Sequence, residues 1–171
     1  MTNEQKEAFY MAVGNHEGYR SVPYYCPAGY LTTGFGHRIT DNERKQLATR
    51  KLSFSEAFKL LKEDFSKVFA FLEKQHFILQ EHELFAVADL ALNVGCTTLS
   101  QRPFWGLLRN YSNALDANQH MQADYYRKLI ADRFLSYIHY KRNGKVYKSD
   151  GLLLRRKFDR SLFLGDLYVL K

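Results

Sequence analysis

Between Phe54 and Leu72 the apolar residues keep to one side of a helix. Phe54, Ala57, Phe58, Leu61, Phe65, Val68, Phe69 and Leu72 recur at spacings of three and four, with lysines and acids opposite. Ser53 and Glu56 supply a capping box at the start. A helix of ~20 residues is ~30 Å long, enough to join two lobes, and its phenylalanines are expected in the core. Glu81 to Val94 has a different pattern. Leu84, Phe85, Ala86, Val87, Ala88, Leu90, Ala91, Leu92 and Val94 surround the axis, so this helix is expected to be buried. Gly95 should follow its last turn. Asn93, polar and near that end, reads either as a cap or as a site residue.

The remaining patterns are weaker. Thr2 with Gln5 would cap a first helix whose stripe is Phe9, Ala12 and Val13, weakening at Gly14 and Asn15. Thr40 with Glu43 would cap a short charged helix to about Arg50. Thr98 to Asn110 reads as a helix carrying Phe104, Trp105, Leu107 and Leu108. Another is expected from Ser112 or later to Phe134, with Met121, Tyr125, Leu129 and Ile130 inward. Residues 136–151 are basic, and Asn143-Gly144 is a tight-turn signal, so they form a basic loop or small hairpin. Asp150 would cap a last helix with Leu152, Leu153, Phe158, Leu162 and Phe163 apolar. For Arg155 and Arg156 the ordinary expectation is a solvated face or a surface ion pair.

Glu17 to His37 fits none of these helical patterns. It holds one acid, one thiol, two adjacent threonines, four glycines and a histidine, with five aromatic rings among them. Tyr24-Tyr25-Cys26 and Tyr30-Leu31-Thr32-Thr33 have strand composition around a Pro27-Ala28-Gly29 turn. Gly34 and Gly36 allow the backbone to bend or something to approach it closely. The reading is a helix ending near Glu17, then a twisted hairpin facing that end.

Length and composition narrow the classes. With 171 residues, 46% of them hydrophobic, the chain can build a core. The net charge of +7 suits a polyanion such as nucleic acid, an anionic membrane face or bacterial wall polymer. Two cysteines, Cys26 and Cys96, are too few for a disulfide framework. The first fifteen residues lack the pattern of a signal peptide, and no apolar segment is long enough for a bilayer. Synthesis in a cytoplasm without stable membrane insertion is the expectation.

Glu17 and Cys26 are nine positions apart, and Cys26 and Thr32 six. With Gly18, Tyr24, Gly29, Gly34, Gly36 and His37 around them, the segment resembles the phage T4 lysozyme family of endolysins. That family's pattern is a catalytic Glu, then an Asp or Cys, then a Thr at these intervals. Leu90 to Gly95 resembles its buried helix end, and Gly151 to Gly165 its C-terminal helix, with Asp159 where a Glu is usual. The resemblance implies a mainly α (α+β), two-lobed lysozyme-like fold in one domain. A small N-terminal α/β lobe would cover about 1–52, a connecting helix about 53–75, and a helical lobe about 76–171.

The implied activity is hydrolysis of the β-1,4 bond between N-acetylmuramic acid and N-acetylglucosamine in peptidoglycan. A glycosidic oxygen leaves only when it is protonated, and Glu17 is the candidate acid. Arg155 or Arg156 would hold it, while favouring its ionised form. Cys26 departs from the Asp form. Free thiols ionise near pH ~8.5, so Cys26 could orient water, act as thiolate base or attack the sugar. Thr32 would hold the attacking water; inversion is expected from the resemblance. Gly36, His37 and Asn93 are expected to support the site. The implied partner is peptidoglycan, reached from the host cytoplasm after release, with a holin as the pore-forming partner. The protein is expected to be a monomer without cofactor. A toxin delivered by a secretion machine would share these features.

Two other functions compete. Cys26 and His37 could form a peptidase pair acting on wall peptides, although His37 reads first as a structural residue. A non-catalytic wall-binding module is the third reading. The six histidines show no paired metal-ligand spacing. Basic and aromatic residues interleave from Tyr137 to Lys148, but without a nucleic-acid module signature.

Overall fold

The computed structural model describes residues 3–166. Thr2, half of the expected first capping box, lies outside them. In chain order, α1 (Asn3–Glu17) leads into β1 (Arg20–Tyr25), β2 (Leu31–Gly34) and β3 (His37–Arg38), an antiparallel sheet in that order. A short α2 (Arg44–Leu47) precedes the long α3 (Phe54–Glu73). Then come α4 (Glu81–Val94), α5 (Cys96–Ser100), α6 (Pro103–Asp116), α7 (His120–Phe134), a hairpin of β4 (His139–Arg142) and β5 (Lys145–Lys148), and α8 (Asp150–Phe163). The described residues are mostly helical, with two small antiparallel sheets among the helices.

The start of α3 is set by the residues read from the sequence. The Ser53 hydroxyl accepts from the Glu56 amide at 3.3 Å, and the Glu56 carboxylate accepts from the Ser53 amide at 2.8 Å. The stripe is buried at Ala57, Leu61, Phe65, Val68 and Leu72. It packs on α4, while the other end of α3 carries β2 and β3. Phe9, Phe65 and Phe85 meet edge to face and join α1, α3 and α4. The sheet is fastened by a second aromatic group, Tyr19, Phe35, Phe54 and Phe58. Phe54 is nevertheless 46% exposed. It lies in the first turn of α3, where the sheet covers only one side of the helix, so the expectation that it would be core is corrected.

The helix expected from Ser112 or later begins at His120, because α6 runs on to Asp116 and the chain turns at Asn118 with φ +55°. Three further expectations change. The one helix expected at Thr98–Asn110 is two, α5 and α6, divided before Pro103, whose missing N–H suits a helix start. Met121 and Tyr125 point outward, 91% and 59% exposed, while Ala123, Ile130, Ala131 and Phe134 face in. Finally, Ser149 and not Asp150 caps α8, its hydroxyl accepting from the Leu152 amide.

The sheet sits close to α3 because of glycine. Gly34 has φ +61°, and a Cβ there would lie 2.9 Å from the Cβ of Ala57. A Gly34→Ala variant therefore meets two costs, ~1–2 kcal/mol for a left-handed backbone and ~1–3 kcal/mol for overpacking. Its urea midpoint should fall clearly below that of the parent; an unchanged midpoint would show that sheet and helix are not in close register here.

Candidate active site

Helix α1 ends where the sequence changes chemistry. The Gly18 amide donates to the Gly14 carbonyl at 2.9 Å, and Gly18 turns the chain away with φ +74°. This leaves Glu17 on the last turn, with its side chain 26% exposed. Across from it stands Gly36, φ +87°. A Cβ at Gly36 would come within 3.0 Å of Glu17 Oε2, so only glycine lets the strand connection pass this close to the carboxylate. The other oxygen, Oε1, accepts from Nη1 of Arg155.

The β1–β2 connection places the next two residues. Tyr24 pairs with Thr32 and Tyr25 with Leu31. The Cys26 amide donates to the Tyr30 carbonyl, and the Gly29 amide to the Cys26 carbonyl, closing the turn read at Pro27–Gly29. Cys26 is a half-buried free thiol, and Cys96 is also unpaired. Thr32 is buried, and its hydroxyl donates to the Tyr30 carbonyl at 2.9 Å. That bond turns the lone pairs of Thr32 Oγ1 toward other donors. Glu17, Cys26, Thr32, Gly36, His37, Asn93 and Arg155 all line one cleft of about 1390 Å³. Its far wall includes Tyr137, His139 and Tyr140, leading into the β4–β5 hairpin. Arg20 and Tyr24 also line it, with the Arg20 guanidinium 4.3 Å from the Tyr24 ring centre.

Arg155 and Arg156 are not on a solvated face. Both are buried, as are Asp89 of α4 and Asp159 of α8. Arg155 makes a two-pronged contact with Asp89, Nη2 to Oδ1 at 2.6 Å and Nε to Oδ2 at 2.9 Å. Arg156 lies beneath the cleft. Its Nε is 2.8 Å from Asp159 Oδ2, and its Nη groups reach Asp89 and Asn93 at 3.4 Å. Burial favours the neutral form of Asp89, but the charge of Arg155 outweighs it and holds Asp89 well below the usual carboxylate range. Burial, then the nearby Asp89 charge, pushes the Asp159 carboxyl well above the usual carboxylate range. Asp89 was not among the residues singled out from the sequence. Its signal was present: an acid between Ala88 and Leu90, in the apolar middle of the helix. Such a group needs a buried cation, and the adjacent arginines of the last helix provide two.

His37 sits on β3 and fixes the sheet to its neighbours. Its Nδ1 is 2.6 Å from Asp64 Oδ2 on α3, and its Nε2 is 3.3 Å from Glu43 Oε1 before α2. Both ring nitrogens face carboxylates, which suits an imidazolium. Burial works against the charged ring, but the hydrogen bond and charge of Asp64 and the charge of Glu43 prevail, and the His37 pKa is raised above 6.5. A raised basic group stabilises the fold fully below its unfolded value and loses that contribution as pH rises through the folded value. Stability should therefore decline above pH ~6.5 as His37 deprotonates. A His37→Gln variant should lose stability overall and flatten that decline, as read by urea midpoints from pH 5 to 9. An equal decline in parent and variant would assign the pH dependence to other groups.

A family model described as phage lysozyme matches residues 14–159. No curated protein sequence matches. Among solved structures, the endolysin of Escherichia coli phage FAHEc1 superposes with a TM-score of 0.72 at 20% identity, over 93% of this chain and 92% of that one. The muramidase domain of SpmX from Asticaccaulis excentricus gives 0.69 at 20% identity, over 92% and 95%. The active form of the P1 phage endolysin Lyz gives 0.62 at 23% identity, over 94% and 85%.

Proposed function

This chain belongs to the phage lysozyme family, and on that premise we propose that it is an endolysin-type muramidase, with Glu17 as general acid and Cys26 and Thr32 on the water side. The substrate is peptidoglycan, and the bond is the β-1,4 link from N-acetylmuramic acid to N-acetylglucosamine. One observation carries the reading: a single acid at a helix end faces a cleft that the thiol and the threonine of the same short motif also line.

The geometry divides the work on Glu17 between its oxygens. Oε1 is taken by Arg155, leaving Oε2 to carry the proton. Oε2 lies beside Gly36, where the absence of a Cβ keeps room for a glycosidic oxygen. Proton donation to that oxygen lets the bond to the anomeric carbon break toward an oxocarbenium-like transition state. On the opposite face, Thr32 Oγ1 is oriented by its bond to Tyr30 and can accept from a water. By the spacing of the motif Cys26 corresponds to the Asp of other members, and its sulfur polarises that water. Attack of the water on the anomeric carbon, with its second proton lost to solvent in the cleft, then gives the inverted sugar.

The peptidase alternative is disfavoured by His37. Its two nitrogens face Asp64 and Glu43, so neither is turned to Cys26 as a general base must be. The same reading treats the chain as one domain of two lobes joined along α3, working as a monomer. No helix among the described residues is long and apolar enough to cross a membrane. We read the route from the cytoplasm to the wall as a pore made by a holin, after which the basic surface favours anionic wall.

Glu17→Gln preserves shape and removes the proton donor. It should lower the yield of new reducing ends from purified peptidoglycan by ~10²–10⁴-fold with an unchanged circular dichroism spectrum. A folded, active Glu17→Gln protein would contradict the assignment. For the water side, Cys26→Asp should retain most activity and Cys26→Ala should lose much more. A dead but folded Cys26→Asp would contradict the reading that the thiol simply replaces an Asp.

A further inference from the structure

Asp89 occupies the middle of α4, a helix buried around its axis, and its side chain has no exposure. An ionised carboxylate there is unfavourable unless it is paired and hydrogen-bonded. Its pairing is specific. The fork formed by Nε and Nη2 of Arg155 closes on Asp89, and the remaining Nη1 of the same guanidinium reaches Glu17. One rigid cation thus joins α8 to both α4 and the end of α1. Because a guanidinium is planar, fixing two of its nitrogens fixes the direction of the third.

We propose that Asp89 is a positioning residue for the glycosidase: it anchors Arg155 so that Nη1 orients Glu17, and it offsets the Arg155 charge so that Glu17 can still take up the proton it must donate. The proposal rests on the reading of Glu17 as general acid. A lone guanidinium in contact with a carboxylate would favour the ionised form, which cannot donate. Asp89, on the other side of that guanidinium, opposes this effect. The charged and titratable groups around Glu17 are His16 on α1, Arg20 and Tyr24 on β1, Cys26, Arg155, Arg156 and Asp159 on α8, and Asp89 on α4. Of the two acids beneath the site, Asp89 is the one in direct two-pronged contact with the guanidinium that reaches Glu17, and so the one whose charge opposes that of Arg155 there.

The test is the pH dependence of kcat/KM for reducing-end release from purified peptidoglycan. In Asp89→Asn the alkaline limb, where the acid form of Glu17 is lost, should move to lower pH by about one unit, as an uncompensated neighbouring cation dictates. Asp89→Glu keeps the charge and should return the limb toward that of the parent. A purely structural Asp89 would change stability or KM and leave the limb in place, and that outcome, or a limb moved to higher pH, overturns the proposal. Should Asp89→Asn not fold, Arg155→Gln is compared with the double variant Asp89→Asn, Arg155→Gln. The limb of the single variant should lie at higher pH, because Asp89 then repels the ionised form of Glu17 without a cation between them; coincident limbs overturn the proposal. A parent enzyme that releases no reducing ends at any pH would instead remove the general-acid reading itself.

Discussion

A guanidinium almost wholly withdrawn from solvent, at the wall of the cleft, is the constraint around which this molecule is built. Arg155 is buried, so every charge it carries must be met inside the protein. It is met by Asp89 from α4 and Glu17 from α1, and those contacts hold three helices in one arrangement. Breaking such a buried pair by removing one partner typically costs ~3–5 kcal/mol, whereas replacing the whole pair by apolar groups is often neutral or stabilising. Stability alone would favour the apolar solution. A buried cluster that reaches the acid at the end of α1 is better understood as a device for orienting that acid.

The sheet side of the site obeys a different constraint, closeness of backbone. Gly34 brings the strands against Ala57, and Gly36 brings the chain against Glu17. Gly14 plays the same part from the other direction, since a Cβ there would lie 3.2 Å from the Phe35 ring. His37 then bonds the sheet to α3 through Asp64. The cleft is shaped by these contacts before any substrate arrives, so Glu17 in its proposed role as general acid needs little rearrangement to meet a glycosidic oxygen.

Much of this was legible in the chain. The α3 stripe, its Ser53–Glu56 cap, the buried α4 and the turn at Pro27–Gly29 all follow from local pattern. The spacing of Glu17, Cys26 and Thr32 carried the resemblance that the family match bears out. What local pattern could not supply was pairing across distance. Arg155 and Arg156 read as surface residues because arginines usually are; their partner Asp89 lies more than sixty positions away. Asp64, which anchors His37, looks from the sequence like one more acid on the polar face of α3. Met121 and Tyr125 failed for the opposite reason. The stripe of α7 is weak, and its buried face is made of small Ala123 and Ala131 together with Ile130 and Phe134.

Chemistry and architecture thus meet at one carboxylate. It is held by a buried arginine on one oxygen and left room by a glycine on the other, and across the cleft stand a thiol and a hydroxyl. The most direct test is mass spectrometry of purified peptidoglycan digested by the unmodified protein. The account predicts muropeptides that end in a new N-acetylmuramic acid reducing terminus, with the stem peptides intact. New free amines from cut peptides, or a reducing terminus on N-acetylglucosamine, would contradict it.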